Sequence, residues 1–406
     1  MLKLGEKIIS DIYLGDKKIA KVFLGDKLVY QAGGPIFLDY ITCDRSCWID
    51  TGIVPTLDSE IEFVYSSTNT NSWYFGCRTN TGDVGMGAGW LSGAFIFFGT
   101  TSQRENVGRE LFASGNKNTL VLNKDSLTVN GQDYSDYANF GTELSSSNLT
   151  LFTMNSATIK DTRGFLGNCY GFKVKESGVL IQDLRPCIDP KGTVCMYEMV
   201  TKKYFYNQGT GTLSAGNIIQ FVDYIETDGN SYINTEFNPN PLTTQLDIEL
   251  MLLDDTTPAQ AVFGCRGTYG VADGKACNIF YNVNSTKSIR IDWSSPITTV
   301  AVNKDELISI SCLGNKVVIN GTEHRGGTQK VDTYLTVPIL LGTMHNATQV
   351  FSTGSKIRIY NCKINDNGVL ARNLRPCVVA GETGFYDMVT GKVFTNAGTG
   401  KLEYTE

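Results

Sequence analysis

The strongest constraint on this chain is a long stretch that it carries twice. Residues 178 to 211 read GVLIQDLRPCIDPKGTVCMYEMVTKKYFYNQGTG and residues 368 to 400 read GVLARNLRPCVVAGETGFYDMVTGKVFTNAGTG, so one end-of-domain signature recurs about 190 positions later. Self-similarity on that scale implies two copies of one folding unit. Other segments align in the same order: FLDYITCDRSCWIDTG with FVDYIETDGNSYINTE, FGCR with FGCR, LTVNG with VVING, and FTMN with GTMH. The offset drifts from 184 to 188 to 190 and ends at 189. Surface loops tolerate such small insertions and core strands do not, so the matched segments are the expected strands.

Their texture agrees. IEFVYSS, AFIFFG, TLVLN and YGFKVKESG in the first copy, and QLDIELML, SIRIDW, LISISCLG and KIRIYNCKI in the second, are short, partly alternating and bounded by Gly, Asn, Asp and Ser. Many short strands with no sustained helical period predict an all-β antiparallel sandwich or jelly roll for each copy, with at most a helical turn in a loop. VNGQ and INGT predict Asn-Gly hairpin turns, and KESG and NDNG predict turns ahead of the strand that contains Val-Leu.

Ahead of the copies, LGEK at 4 to 7 and LGDK at 14 to 17 and 24 to 27 punctuate runs rich in Ile, Val, Tyr and Phe. Each Gly-Asp or Gly-Glu predicts a two-residue hairpin turn, giving an N-terminal three-stranded β-meander in which Ile12 faces Ile19, Phe23 faces Leu28 and Val22 faces Val29. A ribbon this small with apolar side chains on both faces needs something to dock on, its own neighbouring domain or another chain. QAGGP at 31 to 35 then serves as a linker. The expected domains are an attachment and oligomerisation module at 1–32, a first jelly roll at 36–216 and a second at 219–406.

At 406 residues, 41% apolar and 19% charged, the chain is globular, and its net charge of -6 with only short Lys pairs excludes a nucleic-acid partner. Neither a membrane span nor a secretory signal is read from its hydropathy. Eleven scattered cysteines form no disulfide framework and are read as small buried residues in a reducing compartment. Cys43 and Cys47 lack a second ligand pair, since the chain has only His324 and His345 besides.

The ordered set (F/Y)-x-(D/E)-Y-I, F-G-x-R, V-N-G, G-V-L-x-x-(D/N)-L-R-P-C and Y-(D/E)-M-V-T-x-K-x-F-x-N-x-G-T-G resembles the concanavalin A-like, LamG-type jelly-roll domains common in phage and prophage virion proteins. KVFLGDKLVYQ is similar to the leader that often precedes them. The resemblance covers nearly the whole chain. It implies a head-fibre, tail-fibre or related virion appendage, made in the bacterial host cytoplasm, that is a homo-oligomer with a trimer expected; the alternatives are a glycan-degrading enzyme of the same fold and a bacterial surface lectin or adhesin. It further implies contact with other virion proteins through the N-terminal module and with host-surface glycans through the jelly rolls. Calcium is a common rim ligand of LamG-type domains, but no dense Asp and Asn loop matches, so no metal residue and no cofactor are carried over.

Glycosidases of this fold class hold paired carboxylates on one strand, about 5 to 5.5 Å apart in retaining enzymes. Glu60 and Glu62 share a face here, as do Asp247 and Glu249, yet the E-x-D-x-x-E pattern is absent, and they are read as a solvated strand face in a protein that is not an enzyme. A hydrolase triad lacks context, and GMGAGW at 85 to 90 is read as a flexible loop. Sugar binding calls for an aromatic platform, which points to Trp73, Trp90 and Trp293 in loops or strand ends, beside Asn71, Asp83 and Asp292. Trp48, matched by Tyr232, is read as core. Arg185 and Arg375 of the repeated LRPC are read as structural braces that fork onto Glu198 and Asp387.

Overall fold

The structure is a computed structural model. It describes residues 34–79, 84–91, 93–99, 104–105, 112–156, 159–267, 276–326 and 332–404, together with strand residues 3–4, 7–8, 12–14, 17–19, 21–24 and 27–31. The chain divides into two compact units, Met1–Ile218 and Ile219–Glu406.

In the first unit the larger sheet runs Gln132–Asp133, Leu127–Val129, Asn118–Leu122, Ser59–Ser66, Leu166–Glu176, Val179–Ile188, Val194–Glu198, Tyr204–Phe205. The second unit repeats this order with Thr322–Arg325, Lys316–Ile319, Leu307–Leu313, Thr244–Leu252, Ile357–Asp366, Val369–Val379, Glu382–Asp387 and Val393–Thr395. A smaller sheet faces each of these, centred on Asn71–Arg78 and Gly85–Leu91 in the first unit and on Gln260–Arg266 and Ala276–Tyr281 in the second. Ser135–Tyr137 and Val283–Ser285 are single 3-10 turns.

Period-two alternation builds each core. Along Thr244–Leu252 every second residue is buried, and Leu246, Ile248, Leu250 and Leu252 join Phe263, Cys265, Ile279 and Ile291 of the facing sheet. Ile61, Phe63 and Tyr65 likewise meet Phe75, Met86, Ala88 and Phe98. Each such side chain contributes about 1.5 to 3 kcal/mol on burial. The intervening residues point outward and are left to form a polar outer face. All eleven cysteines are buried, as small apolar residues would be.

The duplication extends to irregularities. Register shifts fall between Val64 and Tyr65 and between Glu249 and Leu250, and again between Trp73 and Phe75 and between Ala261 and Phe263. Such bulges bend a strand at a fixed place, so their recurrence marks the same curvature in both copies. The predicted Asn-Gly turns are present: Asn130 and Gly131 have φ of 53° and 78°, and Asn320 and Gly321 have 48° and 81°. Both central residues with φ above zero define the turn whose twist suits a hairpin.

The N-terminal strands pair as two-stranded antiparallel ladders, Lys3–Leu4 with Lys7–Ile8, Ile12–Leu14 with Lys17–Ile19, and Lys21–Leu24 with Lys27–Gln31. Ile12 pairs with Ile19 and Phe23 with Leu28 as expected, whereas a bulge after Val22 moves its partner from Val29 to Tyr30.

Residues 85–90 are not a loop but belong to the buried strand Gly85–Leu91. The glycines make room: a Cβ on Gly87 would come 2.5 Å from Met154 Cε, and one on Gly89 would come 2.8 Å from Trp73 Cε3. Glycine in a strand is what lets bulky neighbours lie directly on the backbone.

Candidate functional site

The three tryptophans do not form a ligand platform. Trp73 lies on Asn71–Arg78 and Trp293 on Ser288–Trp293, both fully buried, and Trp90 on Gly85–Leu91 is 8% exposed. Trp73 covers the glycine strand with Phe97 and Met154, and its Nε1 donates to Asp161 Oδ2 at 2.9 Å. Burial disfavours the Asp161 carboxylate, but hydrogen bonds from Arg163 and Trp73 more than offset it and hold its pKa below the ordinary range. Trp90 packs near Phe112. Asp292 is taken by Arg266 at 2.8 Å, Asn71 begins its strand, and Asp83 lies outside the described residues. Trp48, expected in the core, is half-buried instead.

The repeated seam proves to be a latch. Asn207 Oδ1 accepts from the backbone N–H groups of Trp48 and Gly209 at 3.0 and 2.9 Å, while its Nδ2 donates to Gly211 O at 2.7 Å. Asn396 does the same for Tyr232 at 3.1 Å, Gly398 at 2.9 Å and Gly400 at 2.7 Å. Asp44 and Asp228 complete it by accepting from Thr212 N and Lys401 N at 3.0 and 2.8 Å. The thiols of Cys43 and Cys47 lie close to the Asp44 carboxylate, within metal-ligand spacing. The second copy has Thr227 and Ser231 in their places and uses Asp228 identically, so the latch accounts for the cluster.

The seam carboxylates also differ from expectation. Glu198 accepts from the N–H of Asp183, Val200 and Thr201, and Asp387 from the N–H of Asn373 and Val389 and from Thr390 Oγ1. They cap the MVT turn, and Asp387 also lies 3.7 Å from the Nε of Arg372. Arg185 instead closes on Asp183, Nε to Oδ1 at 3.0 Å and Nη2 to Oδ2 at 2.6 Å, and is 2% exposed. Arg375 is exposed and lies 4.2 Å over the Phe221 ring.

That contrast leads to the site. The outer face of the second unit's larger sheet carries a groove of about 620 Å³, lined by outward residues of adjacent strands: Ser309 and Ser311, Asp247 and Glu249, Asn361 and Lys363, Asn373 and Arg375. Ser311 Oγ donates to Asp247 Oδ1 and Asn361 Nδ2 to Glu249 Oε2, each at 2.5 Å. Among the described residues neither Lys363 nor Arg375 has a carboxylate partner. A smaller cleft of about 240 Å³ lies at the seam, between Tyr232 and Phe351.

The ladders identify the counterparts in the first unit. Glu62 opposes Lys173 and Val121 as Asp247 opposes Lys363 and Ser311, Val64 opposes Gly171 as Glu249 opposes Asn361, and Asp183 opposes Lys173 as Asn373 opposes Lys363. There Lys173 Nζ pairs with Glu62 at 2.9 Å and Arg185 with Asp183 at 2.6 Å, and Lys175 takes Glu60 at 2.7 Å. The first face satisfies its own charges, and the second leaves two cations available. Sequence reading missed Lys363 and Asn373 because each looks like an ordinary strand residue. The available signal was a change of charge at two adjacent seam positions, Gln182 to Arg372 and Asp183 to Asn373.

No family model matches the chain, and neither does any curated protein. Among solved structures it is similar to domains LG4-5 of the mouse laminin alpha1 chain, with 11% identity, a TM-score of 0.26, and coverage of 84% of this chain and 92% of that one. It is also similar to the LG1-3 region of the laminin alpha2 chain, with 10% identity, a TM-score of 0.28, and coverage of 97% and 69%. A NanB sialidase from Streptococcus pneumoniae aligns at 11% identity and a TM-score of 0.25, over 91% and 74%. Likeness at this level carries no functional weight. The strand order, the recurring bulges and the facing sheets make each unit an antiparallel two-sheet jelly-roll sandwich, and the chain carries two in tandem.

Proposed function

We propose that this chain is a non-enzymatic structural protein of a phage virion, a head- or tail-fibre-like appendage that holds host-surface glycans on the open sheet face of its second jelly roll. The groove lined by Asp247, Glu249, Asn361, Lys363, Asn373 and Arg375 carries the binding part of this reading. It offers carboxylates and amides that accept from sugar hydroxyls and cations that donate, all on rigid strands. The virion part is supported by the five-motif set and the LGDK leader. Residues 1–32 then serve attachment and assembly into a homo-oligomer, with a trimer expected. Several weak sites joined in one particle raise the effective concentration without any tight single site.

Imaging of purified particles with an antibody to this chain tests the assignment, which requires label on an external appendage. Label absent from particles contradicts it. Glycan degradation is the competing reading, because Asp247 and Glu249 share one face of the groove. Release of reducing ends from host polysaccharide by the intact chain, lost in Glu249→Gln, would establish that reading instead.

A further inference from the structure

We infer that the second jelly roll's groove recognises an acidic saccharide, whose anionic group seats between Lys363 and Arg375, and that the first jelly roll has no equivalent site. The inference rests on the reading that this groove takes a glycan and adds the ligand's charge and its location.

Three observations lead to it. The first is the chemistry across the groove, which is ordered rather than mixed. Hydroxyls lie on Leu307–Leu313, carboxylates on Thr244–Leu252, an amide and an ammonium on Ile357–Asp366, and an amide and a guanidinium on Val369–Val379. At about 4.8 Å per strand the row is roughly 14 Å wide. An oligosaccharide lying across it would meet acceptors for its hydroxyls first and cations last.

The second is the state of those cations. Lys363 and Asn373 are direct cross-strand partners, and Arg375 follows two residues on, so both cations stand on the same outward face of adjacent strands. Asp247, directly opposite Lys363, is bonded to Ser311 at 2.5 Å and to Gln245 at 3.0 Å. Arg375 is exposed and its guanidinium is oriented by Phe221 at 4.2 Å. A guanidinium held by an aromatic face keeps its fork of donors free for a carboxylate or sulfate.

The third is the internal control. Where the first copy has Asp183 against Arg185, the second has Asn373 before Arg375. One carboxylate replaced by an amide separates a closed ion pair from an open cation. The first face also presents Val64 and Val121 where the second presents Glu249 and Ser311. The same fold therefore carries a self-neutralised face and a receptive one.

The anionic group can be a uronic carboxylate or a sulfate, and two ligand series separate these sources. Calorimetric titration of the full chain would use a galacturonic acid tetrasaccharide against its carboxyl-reduced galactose counterpart, and a dextran sulfate oligosaccharide against dextran. At least one acidic ligand is expected to bind about tenfold or more tightly than its neutral counterpart, with affinity falling as salt rises. Arg375→Gln and Lys363→Gln are expected to abolish that preference for the acidic member. Asn373→Asp should do likewise by pairing Arg375, and Asn373→Ser should not. Unchanged melting temperatures of these outward-facing variants separate loss of the site from loss of the fold. Equal affinity for acidic and neutral members overturns the inference and leaves the glycan reading standing. No binding by any member of either series overturns both.

Discussion

The side-chain amide of Asn396 reaches Gly400, donating from Nδ2 to the Gly400 carbonyl at 2.7 Å. Its oxygen meanwhile accepts from Tyr232 N and Gly398 N, so one residue ties the last turn of the unit to its first strands. Removing it leaves several backbone groups short of a partner at once. Asn396→Ala is expected to destabilise the second unit by about 1 to 3 kcal/mol, and Asn207→Ala the first by a similar amount. Urea denaturation of each variant checks this, with the transition of the unmutated unit unmoved.

The two copies differ in the turn after this seam's capping carboxylate. Gly391 has a φ of 78°, and the first copy places Lys202 there at 60°. A side chain in that region costs roughly 1 kcal/mol relative to glycine. Lys202→Gly should raise the stability of the first unit by about 0.5 to 1 kcal/mol, and Gly391→Lys should lower that of the second. The shifts in thermal midpoint provide the measurement.

The glycine strand offers a graded test of packing. A Cβ on Gly87 meets the mobile end of Met154 first, whereas one on Gly89 meets Ser72 O at 2.7 Å and the Trp73 ring. A methionine end can shift and a backbone carbonyl cannot, so Gly89→Ala should cost more than Gly87→Ala, within about 1 to 3 kcal/mol for such overpacking. Gly87→Ala should be partly rescued by Met154→Ala, and Gly89→Ala should not.

Acid should weaken the fold through its capping carboxylates. Burial disfavours the ionised form at Glu198, Asp228 and Asp254, but backbone and hydroxyl donors more than offset it, and Asp254 is held down to about 2. A folded pKa below the unfolded one contributes stability that is full above the unfolded value and is lost as pH falls through the folded value. Stability should therefore be level down to about pH 5 and fall between about pH 4 and 2. Asp254→Asn should flatten part of that fall in urea midpoints measured against pH.

Much of the architecture was legible because duplication and period-two alternation are written locally. Asn130-Gly131 and Asn320-Gly321 specify their own turns, and Leu246, Ile248 and Leu250 specify which face is buried. The binding face was less legible, for two physical reasons. Trp90 follows Gly-rich sequence that looks like a loop, yet glycine at alternate strand positions is what lets the Trp73 ring approach the backbone at Gly89. Arg185 and Arg375 sit in an identical LRPC context and invite one role, while the residue that separates them, Asp183 or Asn373, lies two positions earlier and acts through space.

The claim that ligand is held on the second unit's outer sheet is tested most directly by backbone amide chemical shifts of the isotopically labelled full chain, titrated with the acidic tetrasaccharide. The account predicts concentration-dependent shifts at Ser309, Asn361, Lys363, Asn373 and Arg375, with their first-unit counterparts Thr119, Gly171, Lys173, Asp183 and Arg185 unmoved. Shifts confined to the first unit, or to the seam cleft around Tyr232 and Phe351, would contradict it.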